Sequence, residues 1–277
     1  MGQCPFVVTH NSIFILITQT MSESKATQHP KQGVANGEVL KSSFSVDFTV
    51  KDLFDNLLHY GHKVEFKNSK MSEFIHDEKA GISIIDLVQT KHYLSNALFE
   101  AYKLSRRNAR ILFVGTKTSI SKSVKKHALS CGQYYIHNRW LGGTLTNWDT
   151  ISALLRKLDR LEKTVKTESS KYTKKELLKM TKDIQKLERF VGGLRGMKNR
   201  PDAIIVVDAL HSKMAIKEAS DIGIKVFCIV DTNSNPEKID YVVPANDDSV
   251  KSVEFILGSF SKAIMQGVKD SISNWKS

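Results

Sequence analysis

From about residue 82 the sequence alternates short β-branched runs with longer amphipathic stretches, and this constrains the fold more than any other feature. GISIIDL (81–87) is followed by a helical pattern over 90–108, RILFVG (110–115) by one over 117–130, and then comes the mixed strand QYYIH (133–137). After an interruption the alternation resumes with AIIVVDA (203–209), a helical stretch at 211–221, KVFCIVDT (225–232), YVV (241–243) and a last helical stretch at 248–267. Apolar runs separated by helices imply βαβ units, so the expected class is α/β: a parallel sheet with helices on both faces.

The interruption, residues 151–200, keeps a different period. Ile151, Leu154, Leu158, Leu161 and Val165 are spaced three and four apart, as are Leu177, Met180, Ile184, Leu187, Val191 and Leu194. Two such heptad stretches joined by the polar KTESSKYTKKE (166–176) predict an inserted antiparallel, coiled-coil-like helical hairpin, each helix burying its seam against the other. Thr173 and Glu176 fit a capping box that starts the second helix, and Gly192-Gly193 marks its end. The expected division is a flexible arm over 1–45, a sheet domain from 46–150 and 201–277, and the hairpin over 151–200.

Charge narrows the choice of partner. The chain of 277 residues carries a formal +12, and a surplus of that size favours a polyanion over a neutral small substrate. It is also concentrated: residues 103–126 hold eight basic and no acidic side chains, and residues 151–200 hold fifteen basic and six acidic ones. The rest of the chain is net acidic, so the positive charge forms two local footprints. Over a helix at 117–130, Ile120, Val124 and Ala128 form one stripe that should face the sheet, which leaves Lys122, Lys125 and Lys126 in solvent. Arg106, Arg107 and Arg110 keep them company, with no acidic neighbour in the segment to pair with them.

Cys4, Cys131 and Cys228 lie far apart with no CxxC spacing, which points to a reducing compartment rather than a disulfide framework or zinc ribbon. The apolar run Ile13 to Ile17 is too short to span a bilayer and lacks the preceding basic region of a signal peptide. Gly2 invites an N-myristoylation reading that Phe6 opposes, and no arginine precedes Arg106, against an organellar presequence. Residues 21–40 are polar with Pro and Gly and read as part of the flexible arm, with Met21 an alternative start.

Several strands end in groups suited to ligands: GTK (115–117), DAL (208–210) and DTN (231–233). The crevice beyond the carboxyl ends of a parallel sheet is where such folds bind ligands, so a nucleotide-dependent enzyme using Lys117, Asp208 and Asp231 is the rival reading. Yet FVGTKT lacks the first glycine of a P-loop, and VGGLRGM does not match GxGxxG. His59 and His62, three apart, could hold a metal with Cys131 or His137, but no second close ligand pair exists. They could equally donate to phosphates or to backbone carbonyls. In HNRWLGGTLTNWDT (137–150), the glycine pair allows a sharp turn and Arg139, Asn138 and Asn147 supply donors. Trp140 and Trp148 can cover apolar surface or stack on bases, and in the former case Arg139 would pair with an Asp of the sheet.

HNRWLGGTLTNW (137–148), with LHYGHK (58–63), RILFVGTK (110–117), PDAIIVVDA (201–209), AIKEA (215–219), VDTNSNP (230–236) and PANDDSV (244–250), resembles the family of the second protein of the small ribosomal subunit, of bacterial or organellar type. The resemblance runs over about residues 46–268. It implies a Rossmann-like parallel sheet with an inserted helical hairpin, no catalysis, no cofactor and no metal. It further implies binding to small-subunit ribosomal RNA between head and body, and to neighbouring ribosomal proteins including the largest, which recruits messenger RNA. Neither a membrane nor a small-molecule substrate is implied, and the place is a ribosome, cytoplasmic or organellar. Arg139, Trp140, Gly142, Gly143, Asn147 and Trp148 would shape the family's signature loop, and His59, Gly61 and His62 its N-terminal turn; Asn68, Lys70 and Met71 match the stretch that follows. Lys67 and Ser69 stand where the family commonly has Trp and Pro, and His137-Asn138 stand where it has Asn-His. The residues nominated for RNA contact are His59, His62, Lys63, Arg106, Arg107, Arg110, Lys117, Lys122, Lys125, Lys126 and Arg139.

Overall fold

Helix α1 (Val50–Asp55) starts on a capping box in which Thr49 and Asp52 satisfy each other's backbone N–H groups. The structure, a computed structural model, describes residues 48–168 and 171–276, with side chains through 273; the arm, the run at 13–17, Gly2, Cys4 and Met21 lie outside the described residues. Next come β1 (Tyr60–Lys63), two short 3-10 turns, β2 (Ile75–Lys79) and β3 (Ile82–Ile85), an antiparallel three-stranded sheet in the order β1-β3-β2. The run GISIIDL therefore belongs to this small sheet and not to the parallel one. Helix α2 (Leu87–Arg106) follows, its first turn capped by the Asp86 carboxylate.

The main sheet begins at β4 (Ile111–Val114), crosses through α3 (Ser121–Ser130) to β5 (Tyr134–Ile136), and pauses for the paired helices α4 (Trp148–Thr167) and α5 (Lys174–Val191). It resumes with β6 (Ala203–Val207), α6 (Lys213–Asp221), β7 (Lys225–Val230) and β8 (Tyr241–Pro244), and the long α7 (Val250–Lys276) closes the described chain. All five strands are parallel, in the order β5-β4-β6-β7-β8. The direction of winding reverses between β4 and β6, the topological switch point of a doubly wound sheet. Every residue of β4 and β6 is buried, as a strand covered on both faces requires.

Alternate residues serve two cores. On one face Leu112, Val114, Ile204, Val206, Val226 and Val230 pack with Ala215, Ile216 and Ala219 of α6. On the other, Phe227 meets Phe260 of α7 edge-on, with ring centroids 5.9 Å apart, and α7 lies along α2. The first core also takes in Trp148, Ile151, Leu155, Leu158, Val191, Leu194 and Met197. The base of the hairpin is thus packed into the sheet domain as well as on itself, and only farther out do Leu161, Val165, Leu177 and Met180 become half-exposed along their own seam. The Thr173–Glu176 capping box forms as its spacing predicts, and a 3-10 turn over Gly192–Leu194 ends the second helix.

Candidate nucleic-acid interface

The signature loop, 137–148, runs from the edge strand β5 to the first turn of α4, and it is organised around one carboxylate. Glu218 on α6, 5% exposed, accepts the Trp140 indole N–H (3.0 Å) and the Gly143 backbone N–H (2.8 Å) at Oε1. At Oε2 it accepts the N–H groups of Leu145 (2.9 Å) and Thr146 (3.4 Å). A buried charge is costly unless donors converge on it, and here four do. Gly143 adopts φ +85°, the left-handed conformation that turns its N–H inward, where a side chain would be strained. Leu145 and Trp148 then enter the core, and the Trp148 indole donates to the Lys198 carbonyl at 3.4 Å. Trp140 is half-buried against that core, which favours cover and anchoring over base stacking. Its partner is Glu218; Arg139 is exposed and pairs with no Asp among the described residues.

The other nominated residues separate into three groups. His59 is fully buried, stacked on Phe54 at 4.4 Å and 8° and tilted on Tyr60 at 4.3 Å; it is a core side chain, and its nomination for RNA contact is withdrawn. His62 has Nδ1 3.2 Å from Asp231 and Nε2 3.2 Å from Asp248, so both ring nitrogens face carboxylates of the protein itself. Arg110 makes a two-pronged pair with Asp202 at 3.0–3.1 Å, Lys117 pairs with Asp248, and Lys126 lies 2.9 Å from Glu254. Segment 103–126, without acidic residues of its own, therefore finds partners elsewhere: Glu100, Asp202, Asp248 and Glu254 come from outside it and engage Lys103, Arg110, Lys117 and Lys126. Burial opposes the ionisation of Glu254, yet hydrogen bonds from Lys126, His127 and Ser123 hold its pKa at about 2.

The third group keeps its charge outward. Lys63, Arg107, Lys122, Lys125 and Arg139 are exposed and Arg106 is partly so. Lys122 lies opposite Ile120, Val124 and Ala128, which are all fully buried, as the stripe predicts, and Lys125 stands at the stripe's flank. Lys125 sits 5.9 Å from the centre of the Tyr135 ring. Beside it, burial and then the Lys125 charge lower the pKa of His137, and Asn138 donates to the Arg189 carbonyl of the hairpin base at 2.9 Å. Helix α3, strand β5, the signature loop and the base of α5 thereby meet at one end of the sheet's β5 edge. Arg189 was not singled out from sequence, because within a helix of many basic residues nothing local distinguishes it.

The carboxyl ends of the strands tell a different story. Asp208 and Asp231 are buried, as is Asp247, whose pKa is pushed up to about 8 by burial and then by the charges of Asp231 and Asp208. His62 stands against Asp231 and His211 against Asp208, and Lys117 pairs with the adjoining Asp248. Gly115, at the position a phosphate-cradling loop would use, instead admits helix α3: a Cβ there would lie 2.6 Å from a Val124 methyl. Among the described residues no group of three or more His, Cys, Asp and Glu side chains is arranged to hold a metal ion, and no helix is long and apolar enough to cross a membrane.

The family model described as ribosomal protein S2 matches residues 53–267. The chain belongs to the ribosomal protein S2 family. Relatives named small ribosomal subunit protein uS2 agree: the one from Buchnera aphidicola subsp. Baizongia pistaciae is 43% identical over 223 residues, 80% of this chain and 98% of that one. Those from Rickettsia prowazekii and Vibrio cholerae are each 42% identical, over 80% and 79% of this chain and 76% and 91% of theirs. The S2 family is structural, so the Lys117, Asp208 and Asp231 crevice is not a catalytic site. Its charges instead compensate one another and tie β1, through His62, to the loops after β7 and β8.

Proposed function

We propose that this component of the small ribosomal subunit works in the cytoplasmic ribosome by binding small-subunit ribosomal RNA through phosphate contacts. Lys122, Lys125 and Arg139 form the centre of its RNA face, with the basic hairpin extending it and neighbouring subunit proteins bounding it. The observation that supports this reading best is the division of the positive charge: some of the segment's basic groups are neutralised internally, whereas these three point outward from adjoining elements. Charge left unpaired on one face is what a polyanion can use.

The test is a salt titration of binding to small subunits depleted of their own copy of this protein. Each phosphate neutralised contributes about 0.7–0.9 to the slope of log affinity against log salt. Replacing Lys122, Lys125 and Arg139 together by Ala should flatten the slope by about 2–3 and leave the melting curve nearly unmoved. An unchanged slope would move the RNA surface away from this face.

A further inference from the structure

Two sequence motifs that lie about seventy residues apart, the signature loop and AIKEA at 215–219, meet at the Glu218 carboxylate. We infer that Glu218 is a positioning residue for RNA binding: it holds the loop in the one conformation that presents Arg139 to a phosphate. This rests on the proposal that the loop faces RNA, and it goes further by naming the group that sets the loop's geometry.

The carboxylate is what the loop's shape requires. Trp140 Nε1 and Gly143 N converge on one oxygen, Leu145 N and Thr146 N on the other. All four are donors, so an anion with two acceptor oxygens satisfies them, while an amide would turn two donors of its own toward them. The Arg139 backbone is pinned on both sides, by Asn138 donating to the Arg189 carbonyl at 2.9 Å and by the Trp140 indole on Glu218 at 3.0 Å. Its side chain remains exposed. A cation on a backbone fixed in advance loses less freedom on meeting its phosphate than one on a mobile loop. The role is indirect, since Glu218 is itself buried and repels phosphate.

The test uses the full chain, Glu218→Gln, Arg139→Ala and the double variant, and a salt titration of binding to small subunits lacking their own copy of this protein. Glu218→Gln should weaken binding by about tenfold and flatten the salt slope by up to about 0.7–0.9, the share of one phosphate. In the Arg139→Ala background the same substitution should leave the slope where Arg139→Ala alone puts it. The indole N–H of Trp140, one of three tryptophans in the chain, gives an independent reading: its hydrogen exchange should quicken in Glu218→Gln. Exchange at the wild-type rate overturns the inference, as does an equal loss of affinity with and without Arg139, which would mark Glu218 as a support for the fold alone. If Arg139→Ala leaves affinity and slope unchanged, the RNA reading of the loop itself has failed, and the positioning role falls with it. Should Glu218→Gln not fold, the same comparison is made on Glu218→Asp, which keeps the charge but withdraws it by one methylene, with the same deciding results.

Discussion

At the scale of single residues, function and stability are divided between neighbouring charges. His62 titrates at about 9 because the Asp231 carboxylate beside its ring outweighs burial, with Asp248 and Asp247 adding to the effect and Lys117 facing the same carboxylates. A histidine raised from its ordinary 6.5 contributes stability in full below that value and loses it as pH rises through the folded value. Asp247, raised from 3.8 to about 8 by burial and then by its carboxylate neighbours, acts in the same direction, its share being lost between about pH 4 and 8. Stability should therefore fall between about pH 6.5 and 9, and His62→Gln should make that fall shallower. Urea unfolding at pH 6 and pH 9 on both proteins checks this; equal losses in the two would refute the assignment. Glu218 was the residue least legible in advance. A glutamate on an amphipathic helix reads as solvent-facing, and no local pattern announces that a loop more than seventy residues earlier supplies four N–H groups. Gly143 and Trp140 were legible as turn and anchor, whereas His59 was misread, because one histidine of a closely spaced pair looks like the other until its ring is seen stacked on Phe54.

Among the elements, the hairpin shows how periodicity can name one partner and miss another. The three-and-four spacing identifies both helices, but spacing alone does not say that Ile151, Leu155 and Leu158 share one core with Leu112, Ile204 and their neighbours besides meeting the second helix. The consequence is a gradient along the hairpin. Leu158→Ala, at a fully buried position, should cost about 2–5 kcal/mol, while Leu178→Ala, at a site 58% exposed near the far end, should stay within about 0.5 kcal/mol. Chemical unfolding of the two variants separates them; comparable losses would mean that the hairpin is stabilised uniformly along its length. The small antiparallel sheet was not legible, since β1 (YGHK) contains a glycine and β2 (IHDEK) is mostly polar and exposed. With those strands hidden, the apolar run of β3 reads as a member of the parallel sheet. The main sheet was legible because strands covered on both faces must be continuous apolar runs, and few other structures place such runs between helices.

For the whole molecule, a surplus of +12 is better understood through its distribution than its size. The sheet's carboxyl edge gathers its own counter-ions and binds the small sheet to the large one, while Lys122, Lys125 and Arg139 at the β5 edge stay exposed. That arrangement could not be read from the sequence, because Asp202, Asp248 and Glu254 reach the basic segment only in the folded chain. Family membership establishes a structural place in the small ribosomal subunit, and the proposed RNA face is tested by seeing the protein in its particle. A cryo-EM map of the native small subunit should show RNA phosphate oxygens within about 4 Å of the Lys122, Lys125 and Arg139 side chains, with the Trp140 indole still on Glu218. A map in which those three side chains face open solvent, and the strands' carboxyl edge lies on the RNA instead, would contradict the account.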